Sequence, residues 1–146
     1  MGAFSGPEIN EDGLVLALDA GNTKSYPGSG TTWTDLSGNG NDGTIDGATH
    51  NSDGYFTFDG TDDYVESGAA SDWKFLHNGA SDFTIEAWVY LPATTMSYSI
   101  CATSGAGTDI GMEFEQVSSG SIHYLKCYMY NGNRSDTAIF GISTNT

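Results

Sequence analysis

Phe83-Thr84-Ile85-Glu86-Ala87-Trp88-Val89-Tyr90-Leu91 is the stretch on which the reading of the fold turns. Phe83, Ile85, Ala87, Val89 and Leu91 alternate with Thr84, Glu86, Trp88 and Tyr90. That is the two-residue period of a strand, not the 3.6-residue period of a helix. No longer segment shows helical periodicity. Downstream, Ser97 to Thr103, Ile110 to Val117, Ser121 to Tyr130 and Asp136 to Ile142 read as further strands. Ser118-Ser119-Gly120 and Asn131-Gly132-Asn133 read as hairpin connectors between them. Upstream, Tyr55 to Phe58 and Tyr64 to Glu66 flank the turn Asp59-Gly60-Thr61, a spacing that suggests a hairpin. Gly13 to Asp19 sets Leu14, Leu16 and Leu18 on one face and Val15 and Ala17 on the other, which suits a strand buried on both sides. Ala20 to Gly43 is expected to be a long connection, and Gly68 to Ser81 a loop with one helical turn over Ser71 to Leu76. About nine short strands at close spacing predict an all-β, antiparallel β-sandwich or barrel, and the lack of crossover helices excludes parallel βαβ units.

Composition agrees with that class. The 146 residues suit one domain, expected over residues 13–146 behind an N-terminal arm of residues 1–12. Gly occurs 20 times, and 12% of residues are aromatic, which supplies a buried core and argues against disorder. Asp and Glu total 19 against 4 Lys and Arg, a formal charge of -15. Such a surface repels phosphate backbones and anionic lipid, so no nucleic acid is expected as a partner; it attracts cations or simply keeps the chain soluble. Cys101 and Cys127 lie on separate strands and are expected as free thiols rather than a bridge. The N-terminus has no basic and apolar leader, and no apolar run reaches 18 residues, so neither a signal peptide nor membrane insertion is expected.

Three ordered segments carry a resemblance: Gly13-Leu-Val-Leu-Ala-Leu-Asp19; Trp33-Thr-Asp-Leu-Ser-Gly-Asn-Gly-Asn-Asp-Gly-Thr44 leading to Phe58-Asp-Gly-Thr-Asp-Asp-Tyr-Val65; and Phe83-Thr-Ile-Glu-Ala-Trp-Val89. Together they resemble the laminin G-like, concanavalin A-like lectin/glucanase domains, over residues 13–91. The resemblance implies a jelly roll of two antiparallel sheets, with ligands on the concave sheet or at the rim loops. Such domains usually continue with further strands, so the sandwich is expected to be incomplete at its C-terminal end. Asp12-Gly-Leu-Val-Leu-Ala-Leu-Asp-Ala20 and Lys24-Ser-Tyr-Pro-Gly-Ser-Gly-Thr-Thr-Trp33 are similar to the form found in bacteriophage and marine-virus structural proteins.

The candidate ligand-binding residues are aromatic. Tyr124, Tyr128 and Tyr130 fall on one face of a strand with Lys126 among them, and Trp88 and Tyr90 lie on the polar face of the Phe83 strand. Flat rings with polar tips suit sugar rings; the competing reading is that they fill the space between two sheets. The candidate metal ligands are Asp59, Asp62 and Asp63 in one turn, with Asn39, Asn41 and Asp42 in a second, since oxygen-rich loops are what Ca²⁺ requires. Polar turns without metal are the competing reading. Glu113 and Glu115 share a strand face roughly 6 to 7 Å apart, as a glycosidase pair would. Family glucanases carry Glu-x-Asp-x-x-Glu there, and Val117 and Ser118 break that pattern, which favours a solvent-facing acidic pair. His50, His77 and His123 are isolated, with no metal-ligand spacing, and no Gly-x-Ser-x-Gly or P-loop motif occurs; no enzyme is expected.

The resemblance implies a structural or adhesion component of a bacteriophage virion, such as a tail, fibre or capsid decoration. It would be assembled in host cytoplasm, contact other virion proteins or copies of itself, and bind host-surface glycan. A stand-alone carbohydrate-binding module or a glucanase-like glycoside hydrolase is the alternative.

Overall fold

The computed structural model describes residues 12–69, 71–77, 82–91, 97–103, 110–119, 122–131 and 135–142. Their contacts fall into two compact units, Met1–Gly68 and Ala69–Thr146. The described chain is nearly all β, every strand pair is antiparallel, and the helical content is one 3-10 turn, Lys74–Leu76. The all-β antiparallel class expected from the alternation is the class observed.

In the first unit, β1 (Thr32–Trp33), β2 (Gly43–Asp46) and β5 (Tyr64–Ser67) form a sheet in the order β1-β2-β5. β3 (Thr49–Asn51) and β4 (Tyr55–Thr57) form a separate hairpin. Its Asp53-Gly54 turn needs glycine twice over: Gly54 has φ +88°, and a Cβ there would lie 2.8 Å from Gly21 Cα. In β2, Gly43 and Ile45 are buried while Thr44 and Asp46 face solvent. Tyr26 packs against His50 and Phe56, and Phe56 against Trp33.

Two sequence expectations change here. Tyr55 to Phe58 and Tyr64 to Glu66 do not pair with each other, because each finds a better partner. β4 pairs with β3, and β5 with β2 in a register that puts Val65 opposite Ile45. Val65 Cγ1 takes the space beside Gly43, where a Cβ would lie 2.7 Å away. Leu14 to Leu18 are half-buried rather than buried on both sides, Gly13 and Asp19 are exposed, and the run joins no ladder among the described residues. Residues 35–41 bond much of its backbone instead, Leu36 N–H donating to the Ala17 carbonyl at 2.8 Å and side chains supplying further partners. Ala17 N–H donates to Asp35 Oδ1 at 2.9 Å, and the Val15 carbonyl accepts from Ser37 Oγ at 3.1 Å and Asn41 Nδ2 at 2.9 Å.

In the second unit, β6 (Tyr98–Ala102), β7 (Ile110–Ser119), β8 (Ile122–Asn131) and β9 (Ser135–Ile142) form one meander in the order β6-β7-β8-β9. These are the four downstream strands read from sequence. Ser118 and Ser119 extend β7 rather than turn, with Ser119 opposite Ile122. A register shift between Ser99 and Cys101 bends β6. One face of this sheet is apolar: Met112 is fully buried, and Phe114, Leu125, Cys127 and Met129 join it by register. Thr103 ties the 3-10 turn to this edge. Its Oγ1 accepts from Met112 N–H at 2.9 Å and meets His77 Nδ1 at 3.3 Å.

The expected strand Phe83 to Leu91 is also corrected. Residues 82–91 pair with no strand among the described residues. Alternation prescribes which side chains share a face; a ladder also needs a free backbone edge, and this run meets none. Its side chains are open accordingly, Trp88 being 96% exposed and Tyr90 92%.

Candidate functional site

The second face of the β6-β7-β8-β9 sheet assembles residues that the sequence treated separately. Partners across a ladder share a face. Glu113 stands opposite Tyr128, Glu115 opposite Lys126, and Val117 opposite Tyr124. On the other side of β7, Ser99 stands beside Glu115 and Ala102 beside Glu113. Tyr124, Lys126 and Tyr128 therefore form a row on β8 facing the two acids on β7, and all five are half-buried. Tyr130 occupies the register position opposite Gly111; its side chain lies outside the described set. Successive members of the row are roughly 6 to 7 Å apart along the strand.

Lys126 is the organising group of this face. Its Nζ donates to Tyr128 Oη at 3.1 Å and lies 5.6 Å from the centroid of the same ring. That hydrogen bond raises the Lys126 pKa above its ordinary value, with Glu115 among the contributing charges. The ammonium is therefore charged throughout the physiological range, in a chain that holds only 4 Lys and Arg. The face offers ring surface, a fixed cation and two carboxylates. It can stack on an apolar ring face while donating to and accepting from hydroxyls at its edge.

Trp88 and Tyr90 do not join this row. At 96% and 92% exposure they pack against almost nothing. The third candidate place is in the first unit. Asp59, Asp62 and Asp63 bring carboxylate oxygens within 4.8 Å of one another. Part of that oxygen set already serves the turn. Asp59 N–H donates to Asp63 Oδ2 at 2.8 Å, and Thr61 N–H to Asp59 Oδ1 at 2.7 Å. Such a trio could hold a hard cation, with further oxygens from water.

The second oxygen-rich loop has a structural task that the sequence reading missed. Asn39 Nδ2 donates to the Leu14 carbonyl at 2.8 Å, and Asn41 Nδ2 to that of Val15 at 2.9 Å. Asp42 Oδ1 accepts from Asp35 N–H at 2.8 Å. The available signal was the density of Asx and Ser residues over 35–42. Lys126 was read among the tyrosines, but Glu113 and Glu115 were missed as their neighbours, because cross-strand register is not written in either strand alone.

No protein-family model matches this chain. No curated protein matches it either. Among solved structures it is similar to the crystal structure of an S-layer domain-containing protein (residues 221–444) from Clostridium thermocellum, at 22% identity and a TM-score of 0.56. The match covers 81% of this chain and 54% of that one, so the chain spans about half the length of that structure. At this identity the likeness concerns the fold.

Proposed function

We propose that this chain is a surface-display domain that binds carbohydrate on the Tyr124–Lys126–Tyr128 face, as an adhesion component of a bacteriophage virion. The observation that carries the reading is the tyrosine row set against Glu113 and Glu115 by register. Lys126, held on Tyr128, leaves less side-chain freedom to lose on binding. The virion setting, and the jelly-roll topology that goes with it, rest on the family resemblance. The similarity to the S-layer domain-containing protein supports the all-β fold on which this reading builds. The domain binds and performs no chemistry: Glu113 and Glu115 serve as hydrogen-bond acceptors for hydroxyls.

A glycan array probed with the full chain, with and without Ca²⁺, tests the binding. The expected result is a neutral glycan that binds and that loses about tenfold or more in affinity with Tyr124→Ala or Tyr128→Ala. No binding to any glycan, or wild-type binding by the double variant, overturns the reading. Detection of the chain on isolated virus particles tests the setting, and release of reducing ends from polysaccharide would return the acids to catalysis.

A further inference from the structure

We propose that Phe83–Leu91 is a self-pairing strand that joins two copies of this chain about a two-fold axis. The run has the side-chain pattern of a strand yet pairs with none among the described residues. Trp88 is 96% exposed, Tyr90 92%, Val89 51% and Ile85 36%. Ile85 and Val89 on one face and Trp88 and Tyr90 on the other leave both faces of the run open, beside backbone that pairs with no strand among the described residues, and such an edge is a template for another strand.

The sequence of the run identifies the occupant. Paired antiparallel with itself about Ala87, Phe83 meets Leu91, Ile85 meets Val89, Thr84 meets Tyr90, and Glu86 meets Trp88. Apolar residues oppose apolar residues on one face, polar or aromatic ones oppose each other on the second, and the two Glu86 carboxylates are never directly opposite. This is the self-complementarity that an isologous two-fold interface demands. Charge selects the same edge. In a chain of net charge -15, two copies approach most easily where acids are fewest, and residues 83–91 hold Glu86 alone. The pairing deepens the surface-display reading by naming a partner, a second copy. It does not depend on glycan.

Sedimentation or light scattering of the full chain at about 100 µM, without glycan, should give a dimer. Ala87 faces its own counterpart at a Cα separation of about 4.5 to 5.5 Å, within disulfide range. Ala87→Cys should therefore yield a covalent dimer on mild oxidation, and Thr84→Cys, which faces Tyr90, should not. Trp88→Glu puts a carboxylate opposite each Glu86 and should weaken the dimer about tenfold or more. Its circular dichroism should match wild type, since Trp88 is 96% exposed. A monomer at this concentration overturns the inference. So does a dimer that ignores Trp88→Glu and leaves Ala87→Cys uncrosslinked. A dimer without glycan binding would sink the carbohydrate reading alone.

Discussion

Asp35 is 7% exposed, and its carboxylate gathers hydrogen bonds from Ala17 N–H, Ser37 N–H, Ser37 Oγ and Asn41 N–H. Burial pushes its pKa up. The hydrogen bonds, Ser37 Oγ first among them, together outweigh burial and hold it below the ordinary carboxylate value. A depressed folded-state pKa stabilises the fold fully above the unfolded value of about 3.9, and that stabilisation is lost as pH falls through the folded value. Asp35→Asn should therefore destabilise the chain by about 2 kcal/mol at pH 7, since an amide faces donors with a donor of its own. Urea midpoints measured from pH 7 to pH 2 should converge for wild type and variant at the acid end. Gly47 is a second residue with a narrow tolerance. Its φ is +76°, and a Cβ there would overlap Asp63 Oδ1, the carboxyl that also holds Asp59 N–H through Oδ2. Gly47→Ala combines a left-handed backbone penalty with the displacement of that carboxyl, so a loss of about 2 to 3 kcal/mol is expected in thermal or urea unfolding.

Within the β6-β7-β8-β9 sheet, Phe114 stands between two cysteines, with Cys101 opposite it on β6 and Cys127 opposite it on β8. Strands two apart are separated by about 9.5 Å, beyond the roughly 7 Å that a disulfide spans, so the register forbids the bridge. Burial raises the Cys101 thiol, with Cys127 adding to it, and burial raises Cys127. Both thiols should react with Ellman's reagent about tenfold or more slower in the native state than in urea, and mass spectrometry should find both reduced. The same sheet marks how far sequence could be read. Its four strands were legible because ten-residue runs such as Ile122–Asn131 advertise their period and end at turn residues. β2 and β3 were not legible: Gly43-Thr-Ile-Asp and Thr49-His-Asn are too short to show a period, and Gly43 belongs in a strand only because Val65 fills its place. The tyrosine row was legible as one face of one strand. Its pairing with Glu113 and Glu115 was not, because a single residue more in the 119–122 connection would move the whole row to the opposite face. Phe83 to Leu91 failed in the reverse sense: the pattern was clear, but pairing depends on an edge elsewhere in space.

At the scale of the whole chain, 19 acids against 4 bases set a repulsion that no single contact offsets. Raising NaCl from about 10 mM to about 150 mM shortens the screening length from about 30 to about 8 Å. The folded chain gains more from that than the expanded one, because its charges are closer together. A gain of about 1 kcal/mol, or about 3 to 5 °C in Tm, is expected in scanning calorimetry. The proposed dimer should tighten over the same range, since it brings two such chains together. Calcium separates screening from a true site at Asp59, Asp62 and Asp63. Stabilisation by a bound ion follows its saturation: a site with a Kd of about 0.1 mM would add about 2.7 kcal/mol at about 10 mM free Ca²⁺, far above the effect of NaCl at equal ionic strength. Asp59 and Asp63 already accept backbone N–H groups, so each would have to share oxygens to join a coordination shell of six to eight. The expected outcome is thus the same Tm in CaCl₂ and NaCl at matched ionic strength. An excess of several degrees in CaCl₂, abolished by Asp62→Asn, would instead make the turn a calcium site and put the cation among the requirements for glycan binding.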